Sequence, residues 1–326
     1  MITSRRKPVL LAITSGDRDG IGLEVTRKAL SILGPQSNAR FMIACSNNPA
    51  ASRELRKLRG FQQVHLSSKI ASFEIASRVL EHLKSNEVLI WRDSGNEAAW
   101  VQAAARLALS RKIDGIVTGP VSKGRFKNVS AKFIGHTGML SAMAKVSVQQ
   151  GYVGSKLSVV LATDHLPLSK VEGALNERVI QRAVANAKSM RGLLATRKSR
   201  RPIAVLGLNP HAGESGIIGT FERRVRLPRG VKGPLPADTA FTPSAITKYS
   251  VVVALYHDQG LIPFKLLHGQ DSGFQISLGL PFVRTSVDHG TARDIFGKGQ
   301  ANPGSMIDAL RGAIKMVQVE TVARKK

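Results

Sequence analysis

The sequence has one cysteine, few aromatic residues and no long apolar run. Cys45 is the only cysteine among 326 residues, so no internal disulfide can form. Its place in the apolar run 41–45 predicts a buried, unreactive thiol. No stretch approaches the roughly 20 consecutive apolar residues of a membrane-spanning helix. These absences predict a soluble, cytoplasmic protein that makes no membrane contact.

Acidic residues are also scarce, because 22 Asp and Glu stand against 48 Lys and Arg, for a formal net charge of +26. Such a balance is typical of nucleic-acid binding, of an anionic substrate or of a generally basic proteome. The basic residues concentrate at 53–59, 188–201 and 223–232, in predicted helix faces and loops. Aromatic residues make up 5% of the chain and supply few surfaces for base stacking. We therefore predict a solvated basic surface and no dedicated nucleic-acid role.

The glycine motifs of the common nucleotide-binding folds are missing. Gly20-Ile21-Gly22 is followed by Val25 where the G-x-G-x-x-G fingerprint of a Rossmann fold needs a third glycine. No G-x-x-x-x-G-K-S/T occurs, which argues against a P-loop NTPase. The sequence therefore assigns no cofactor-binding residues.

What the chain does contain is an alternation of short aliphatic runs with longer amphipathic stretches. The predicted strands lie at 9–13, 40–44, 115–118, 157–162, 203–208, 251–255 and 275–278. The predicted helices lie at 24–33, 72–83, 97–109, 177–194 and 305–317. This alternation predicts an α/β fold built mainly on parallel sheet, in one large or two moderate lobes.

Three of the predicted strands end in similar polar segments that each carry a histidine. His165 follows 157–162, His211 follows 203–208 and His257 follows 251–255. Ligands of open α/β sheets bind beyond the carboxyl ends of the strands, so three histidines delivered there can meet. Neutral imidazole suits Zn²⁺, Co²⁺ or Fe²⁺, and three protein ligands with open positions are typical of catalytic metal sites. The pattern predicts such a site, although a single histidine after a strand is more often an ordinary polar loop residue.

Other residues have the chemistry of anion ligands. Gly135-His136-Thr137 places a ring nitrogen, a hydroxyl and a backbone N–H beside a flexible glycine, which suits phosphate oxygens. Lys265 follows the His257 segment, and Arg284 follows the strand at 275–278. Lysine binds phosphate as a point charge and arginine binds it through two donors. In so basic a chain, each of the two is equally well explained as an ordinary surface cation.

Taken together, the motifs of this chain resemble those of the 4-hydroxythreonine-4-phosphate dehydrogenase family, over nearly the whole chain and in the expected order. The matching segments are Ser15-Gly16-Asp17, Gly20-Ile21-Gly22, Thr118-Gly119-Pro120-Val121, Gly135-His136-Thr137, Thr163-Asp164-His165-Leu166-Pro167-Leu168, 207–214, 233–239, Tyr256-His257-Asp258-Gln259-Gly260 and 279–292. The last of these is the most specific.

The resemblance implies oxidation of 4-phosphohydroxy-L-threonine by NAD(P)⁺, a step of pyridoxal 5′-phosphate synthesis. The product, 2-amino-3-oxo-4-phosphooxybutanoate, would decarboxylate to 3-amino-2-oxopropyl phosphate. One divalent metal ion per active site (zinc, cobalt or magnesium) is implied, with His165, His211 and His257 as ligands. The implied substrate contacts are His136, Thr137, Lys265, Gln275 and Arg284.

The resemblance also implies a homodimer with active sites at the subunit interface. The implied fold is two α/β lobes around a central cleft, similar to the isocitrate and isopropylmalate dehydrogenases. We place the first lobe at 1–135 plus 290–326 and the second, with most metal and substrate residues, at 136–289.

Several positions depart from the family pattern. Gln275 stands where the family usually has Asn, which leaves open a sister activity on threonate 4-phosphate, erythronate 4-phosphate or a related diol. Arg18-Asp19 replaces Pro-Ala, Leu23 replaces Pro, and Gly138 replaces an acidic residue. The connection at 220–233 is shorter and more basic than usual. None of these changes removes a predicted metal ligand.

The predicted chemistry is loss of hydride from the substrate's secondary alcohol to the nicotinamide, beside a cation that stabilises negative charge on the alcohol oxygen. Asp238 and Asp258 are the candidate catalytic carboxylates, as ring orienters or as proton acceptors. The sequence does not choose between these roles, and Asp238 is equally explained as a turn cap.

Overall fold

A computed structural model describes residues 7–67, 72–130, 135–269 and 272–323. The strands in these ranges are β1 (Val9–Thr14), β2 (Ala39–Ser46), β3 (Gln62–Ser67), β4 (Glu87–Asp93), β5 (Gly115–Thr118), β6 (Gln149–Val153), β7 (Ser158–Leu161), β8 (Ile203–Leu206), β9 (Val231–Leu235), β10 (Val252–Ala254), β11 (Phe274–Leu278) and β12 (Val283–Ser286). The α-helices are α1 (Gly22–Leu33), α2 (Pro49–Leu55), α3 (Phe73–His82), α4 (Glu97–Leu109), α5 (Lys123–Lys127), α6 (His136–Ala144), α7 (Leu168–Ala174), α8 (Glu177–Met190), α9 (Thr196–Ser199), α10 (Phe221–Arg224), α11 (Ala237–Ala240), α12 (Pro243–Ile246), α13 (His257–His268) and α14 (Gly304–Ala323). None of these helices has the length and apolar character needed to cross a membrane.

By its internal contacts the chain forms two compact units, and the first comprises Met1–Ser147 and Leu280–Lys326. Its strand order is β3-β4-β2-β1-β5-β12, with neighbouring strands parallel. The central strands are near-continuous aliphatic runs, as expected for parallel strands that are covered on both faces. Leu11, Ile13 and Phe41 are accordingly buried. Trp100 of α4 and Leu80 of α3 belong to the same core cluster, so these helices pack on the sheet.

The second unit comprises Val148–Gly279. Its strand order is β11-β6-β7-β10-β8-β9, in which β6 runs antiparallel to both of its neighbours and the remaining pairs are parallel. Val159, Leu161 and Ala254 form its core together with Phe264 of α13. Because β7, β10 and β8 are adjacent and parallel, their carboxyl ends lie at one edge of the sheet.

Asparagine side chains begin two of the longer helices. Asn96 accepts a hydrogen bond from the backbone N–H of Ala98 at the start of α4, and Asn176 accepts one from Val179 at the start of α8. Such caps satisfy N–H groups that have no partner within the helix. The amphipathic sequence of α8 then turns its apolar residues toward the sheet, which fixes the helix on the second unit.

The predicted α/β fold is confirmed, and each predicted strand and helix overlaps an observed element. The strands β3, β4, β6, β9 and β12 and the helices α2, α5, α6, α7 and α9 to α13 were not predicted. The strand β6 begins with two glutamines, which hide its buried character, and α13 contains Pro263, which lowers helix propensity.

The two units divide at 147/148 and 279/280, whereas we predicted lobes that divide at 135/136 and 289/290. The segment 280–289 falls in the first unit because β12 pairs with β5, and 136–147 falls there because α6 packs against α4. His136, Thr137 and Arg284, which we placed in the second lobe, therefore lie in the first unit.

Cys45 lies in β2 with its side chain fully buried. Burial raises the pKa of its thiol to about 12. Because the thiolate is the reactive form, the cysteine is chemically inert in the folded chain, as predicted.

Candidate functional site

The three predicted metal ligands all follow parallel strands of the second unit. His165 lies in the loop after β7, His257 is the first residue of α13 after β10, and His211 lies in the turn Pro210–Gly216 after β8. Since these strands are neighbours, their loops leave the same edge of the sheet. The sheet thus delivers the histidines where open α/β sheets bind ligands.

His165 and His257 are brought together, with ring centroids 5.1 Å apart. The Nδ1 atom of His257 lies 2.6 Å from an oxygen of Asp258. The Nδ1 atom of His165 lies 3.8 Å from Asp164, and that of His211 lies 4.0 Å from Glu214. A carboxylate at Nδ1 is typical of metal-ligating histidines, because it fixes the ring and leaves Nε2 for the ion.

This donor set fits a divalent ion in its chemistry, although its geometry is incomplete. Within the described residues, no group of three or more His, Cys, Asp or Glu side chains is arranged to hold a metal ion. The pair of His165 and His257 is in place, and His211 is not assembled with them. The three-histidine metal site therefore stays a prediction.

The backbone at His211 has an unusual, left-handed conformation. Five consecutive residues, 211–215, have positive φ between 44° and 81°, and four of them are not glycine. A left-handed conformation costs about 1–2 kcal/mol for each such residue, so the surrounding contacts must hold it. Backbone strain of this kind is often found at functional sites.

The two candidate carboxylates differ in their surroundings. Asp258 contacts the His257 ring directly, which suits a ring orienter. Asp238 lies in the first turn of α11 and is exposed. The structure thus gives Asp258 a contact in the site, and the role of either residue as proton acceptor stays a prediction.

Gln275 of β11 joins a partly buried chain of hydrogen bonds that leads to the histidine loop. Its Nε2 donates to Oε1 of Gln150 at 2.7 Å, and Nε2 of Gln150 donates to Asp164 at 2.9 Å. Tyr152 donates its hydroxyl to the same Gln150 oxygen. Since Asp164 lies beside His165, the residue that departs from the family pattern is connected to a predicted metal ligand.

Arg284 of β12 is almost completely buried, with 1% of its surface exposed. Its Nε and Nη2 donate to the hydroxyl of Thr118 at 3.2 and 2.6 Å. A buried guanidinium is held in a fixed direction, as recognition of an anion requires.

His136 begins α6, with Thr137 as the next residue. The Phe126 ring lies edge-on to the imidazole at 4.8 Å. Nε2 of His136 is buried and has no hydrogen-bond partner within the described ranges. Burial and, secondarily, the charge of Arg284 hold the pKa of His136 well below its usual value. The ring is therefore neutral near pH 7.

Lys265 lies two turns along α13 from His257 and is half-buried. It belongs to the second unit, as do Gln275 and all three histidines, whereas His136, Thr137 and Arg284 belong to the first.

Two supporting residues of the second unit were not predicted. Gln150 links Gln275 to Asp164, and Glu222 of α10 accepts hydrogen bonds from the segment before His211. Glu222 lies in the basic connection at 220–233, where a glutamate is ordinarily a solvated residue, so no sequence signal marked it. The adjacent Gln149-Gln150 at a strand start was a weak signal, because buried glutamines need partners.

The first unit contains a cavity of about 180 Å³ beyond the carboxyl ends of β1 and β2. Its lining includes Ser15, Asp17, Arg18, Arg53, Lys57 and Phe296. Arg18, which departs from the family pattern, donates its Nε to Glu97 at 2.6 Å. Asp17 is buried and accepts from Arg293 at 2.8 Å, which fixes the other side of the opening loop. The lining also includes the carboxylates of Glu24 and Glu54, so the cavity combines cationic, acidic and apolar walls.

Comparison with known proteins identifies the family. Residues 92–313 match the model of the family described as "Pyridoxal phosphate biosynthetic protein PdxA". A 4-hydroxythreonine-4-phosphate dehydrogenase of Desulfosudis oleivorans is 33% identical, over 94% of this chain and 95% of that protein. A Cutibacterium acnes protein, whose name gives D-threonate 4-phosphate dehydrogenase as its expected activity, is 33% identical over 98% of this chain and 97% of that protein.

The fold agrees with this family. The crystal structure of a 4-hydroxythreonine-4-phosphate dehydrogenase from Klebsiella pneumoniae superimposes with a TM-score of 0.71 at 29% identity, covering 95% of this chain and 100% of that chain. The chain therefore belongs to the PdxA family, and it is a dehydrogenase enzyme.

Proposed function

We propose that this enzyme oxidises 4-phosphohydroxy-L-threonine with NAD(P)⁺ to 2-amino-3-oxo-4-phosphooxybutanoate, which decarboxylates to 3-amino-2-oxopropyl phosphate. The observation that carries the proposal is the adjacent pair His165 and His257, each with a carboxylate at Nδ1, in a chain of the PdxA family. The proposed pathway is pyridoxal 5′-phosphate synthesis, in the cytoplasm.

His165, His211 and His257 would hold one divalent ion (zinc, cobalt or magnesium). When bound, such an ion supplies positive charge that stabilises the alcohol oxygen as it loses its proton. Asp258 orients the His257 ring through a hydrogen bond at Nδ1, whereas Asp164 and Glu214 lie 3.8 and 4.0 Å from Nδ1 of their histidines, beyond hydrogen-bond distance. Asp238 and Asp258 are the candidate proton acceptors.

The remaining residues would bind the anionic groups of the substrate. In the first unit, neutral His136 offers a ring nitrogen that has no partner among the described residues, Thr137 offers a hydroxyl and Arg284 a fixed cation. In the second unit, Lys265 supplies a further cation. With phosphate and carboxylate held, the substrate carbon gives its hydride to the nicotinamide while the hydroxyl proton goes to the base.

For the dinucleotide we propose the cavity beyond β1 and β2. Ligands of open α/β sheets bind beyond the carboxyl ends of the strands, which is where this cavity lies. Arg53 would face phosphate groups together with Lys57, which is held by Glu54 at 3.0 Å, and Phe296 offers a ring against which a base can stack. This arrangement needs no Rossmann fingerprint, which agrees with its absence from the sequence.

We further propose that the enzyme is a homodimer whose interface includes the second unit. The exposed large aliphatic side chains of that unit are Leu166, Leu168, Ile217, Ile218, Ile262 and Leu266. Several of them adjoin the predicted ligands His165 and His211, and exposed apolar side chains beside a site are typical of an interface. A second copy that covers them would also complete the partly assembled metal site.

The dimer is tested with Leu266→Lys, which places a charge on the exposed apolar face of α13. We expect this variant to sediment as a monomer and to lose turnover, because the active site would need the partner. The matched control is Ile32→Lys, an exposed isoleucine on α1 of the first unit, which should leave the wild-type mass. A wild-type chain that sediments as a monomer would contradict the proposal.

The activity is tested by following NAD(P)H formation from 4-phosphohydroxy-L-threonine, with and without chelator, and after addition of Zn²⁺, Co²⁺ or Mg²⁺. We expect turnover that chelator abolishes and added ion restores. Absence of turnover in a folded dimer with ion present would overturn the proposed reaction.

A second candidate is the same oxidation of D-threonate 4-phosphate or erythronate 4-phosphate. It is favoured by Gln275, whose Nε2 donates to Gln150 where the family usually has the shorter Asn. The Cutibacterium acnes relative is named for such a substrate. Turnover of these phosphates alone would keep the chemistry and change the substrate.

A further inference from the structure

We infer that Glu222 is a positioning residue for His211, because its buried carboxylate organises the left-handed turn on which that histidine stands. The inference rests on the proposed ion-binding role of His211, and it concerns a residue outside the predicted ligand and substrate set.

The carboxylate of Glu222 binds the chain at the end of β8. One oxygen, Oε1, accepts the backbone N–H groups of Leu208 and Asn209, both at 2.8 Å. The other oxygen, Oε2, accepts the side-chain Nδ2 of Asn209 at 3.1 Å. Glu222 is 8% exposed, so these bonds are largely shielded from water. The segment that immediately precedes His211 is therefore tied to one carboxylate.

The turn after His211 also closes around Glu222. Gly213 has φ of +81°, and a β-carbon at this position would lie 2.6 Å from Oε2 of Glu222. The backbone of the turn therefore approaches the carboxylate closely at Oε2. His211 lies between these two contacts, so its position follows from theirs.

The charge of Glu222 is suited to this task. Burial tends to raise its pKa, but the hydrogen bonds from Asn209 and Leu208 outweigh burial and hold the pKa below its usual value. The carboxylate is thus ionised near pH 7 and accepts from donors on both oxygens. A glutamine at this position loses the negative charge, and its amide nitrogen faces Nδ2 of Asn209 unless that amide reverses, so a neutral isostere weakens the set.

This arrangement compensates for the strained backbone at 211–215. Without the carboxylate, residues 211–215 lose contacts that stabilise their left-handed conformation. The imidazole of His211 then changes its orientation. His165 and His257 stand on other loops and keep theirs. The expected result is a site that retains two ligands in place and has a misdirected third.

The test compares Glu222→Gln with Glu172→Gln. Glu172 is a matched control, because it is an exposed glutamate of the same unit whose carboxylate pairs with Arg224 of α10. Two quantities are measured on the full chain: the dissociation constant and absorption spectrum of Co²⁺, and the ring signals of ¹⁵N-labelled histidine without ion. His211→Ala identifies the His211 signal.

We expect Glu222→Gln to weaken Co²⁺ binding by about 10- to 100-fold, the usual effect of losing an outer partner of a metal ligand. The His211 ring signal should shift, while those of His165 and His257 stay. Glu172→Gln should change neither quantity. A merely structural role would lower thermal stability and leave the Co²⁺ spectrum and the His211 signal unchanged, which would overturn the inference.

The two measurements separate this inference from the proposed function. If the wild-type chain binds no divalent ion, the proposed metal role fails, and the His211 ring signal alone decides whether Glu222 positions it. If Glu222→Gln does not fold, Glu222→Asp is measured in the same way. Its carboxylate is one methylene shorter and reaches fewer donors, so an unchanged His211 signal in that variant also overturns the inference.

Discussion

The two units hold their candidate residues in opposite ways. In the first unit, Arg284 is 1% exposed and is anchored by Thr118. In the second unit, the side chains of His165 and His211 are 68% and 66% exposed. Arg284 is fixed within a parallel sheet. His165 and His211 lie on exposed loops, which hydrogen bonds to Gln150 and Glu222 stabilise.

This difference shows where function and folding depend on the same atoms. In the first unit a change at the candidate site also removes packing, so loss of activity and loss of stability should coincide. In the second unit the ligands project from the fold, so activity should be lost without loss of stability.

The strongest test of this contrast is His165→Ala. We expect turnover to fall by more than the about 10- to 100-fold that loss of an outer partner costs, because a proposed ligand is removed. The free energy of unfolding should change by less than about 0.5 kcal/mol, since 68% of the His165 side chain is exposed. Parallel measurements of turnover and urea unfolding check this, and a large loss of stability would remove the distinction between the units.

Gly22→Ala tests whether stability and activity are lost together in the first unit. A β-carbon at Gly22 would overlap the Ser15 carbonyl oxygen, far inside van der Waals contact. We expect the free energy of unfolding to fall by about 1–3 kcal/mol, together with activity. Gly124→Ala on α5 is the control, because its β-carbon meets nothing within 4 Å. Equal stability of the two variants in urea would show that the opening loop is not tightly packed.

The pH dependence of unfolding sharpens the comparison. The neutral state of His136 is favoured by burial and then by Arg284, which lower its pKa, so at acidic pH the unfolded chain binds a proton that the folded chain does not. The stability from this residue is complete above its unfolded pKa of about 6.5. It falls below that pH by up to about 1.4 kcal/mol per pH unit.

The measurement is urea unfolding from neutral to acidic pH in the wild type and in His136→Gln. We expect the difference between the two curves to change below the unfolded pKa of histidine. Curves that stay parallel would show that folding does not lower the pKa of His136.

The smallest effect is expected for Gln275→Asn, which restores the usual family residue and removes the hydrogen bond to Gln150. One such bond contributes about 1 kcal/mol, so relative kcat/KM for 4-phosphohydroxy-L-threonine and D-threonate 4-phosphate should shift by less than about 10-fold. Gln181→Asn on the surface helix α8 should leave the ratio unchanged. An unchanged ratio in Gln275→Asn would show that Gln275 does not influence the choice between the two substrates.

The sequence was sufficient to predict the α/β fold and the placement of the histidines after strands. Aliphatic runs such as that of β2 carry their own signal, because a parallel strand is buried on both faces. The polar strand β6 carries none, since Gln149 and Gln150 are buried only by virtue of their partners in the folded chain. The same limit explains the lobe boundaries, which depend on β12 pairing with a strand more than 160 residues earlier.

The candidate site was predictable in its residue types and not in its support. Histidine after a strand is visible in the sequence, whereas Glu222 looks like any charged residue of a basic loop. Its importance arises from donors at Leu208 and Asn209 that a one-dimensional pattern does not reveal. Likewise, the left-handed turn at His211 has no consensus of glycines that would announce it.

The burial of Arg284 has a consequence for how the enzyme would respond to ionic strength. Salt screens charges that are exposed to solvent and has much less effect on buried ones. The net charge of +26 would speed the approach of anionic substrates in dilute buffer, and that advantage would vanish in concentrated salt. Once the anion is seated against the enclosed guanidinium, its residence time would be nearly independent of the surrounding electrolyte.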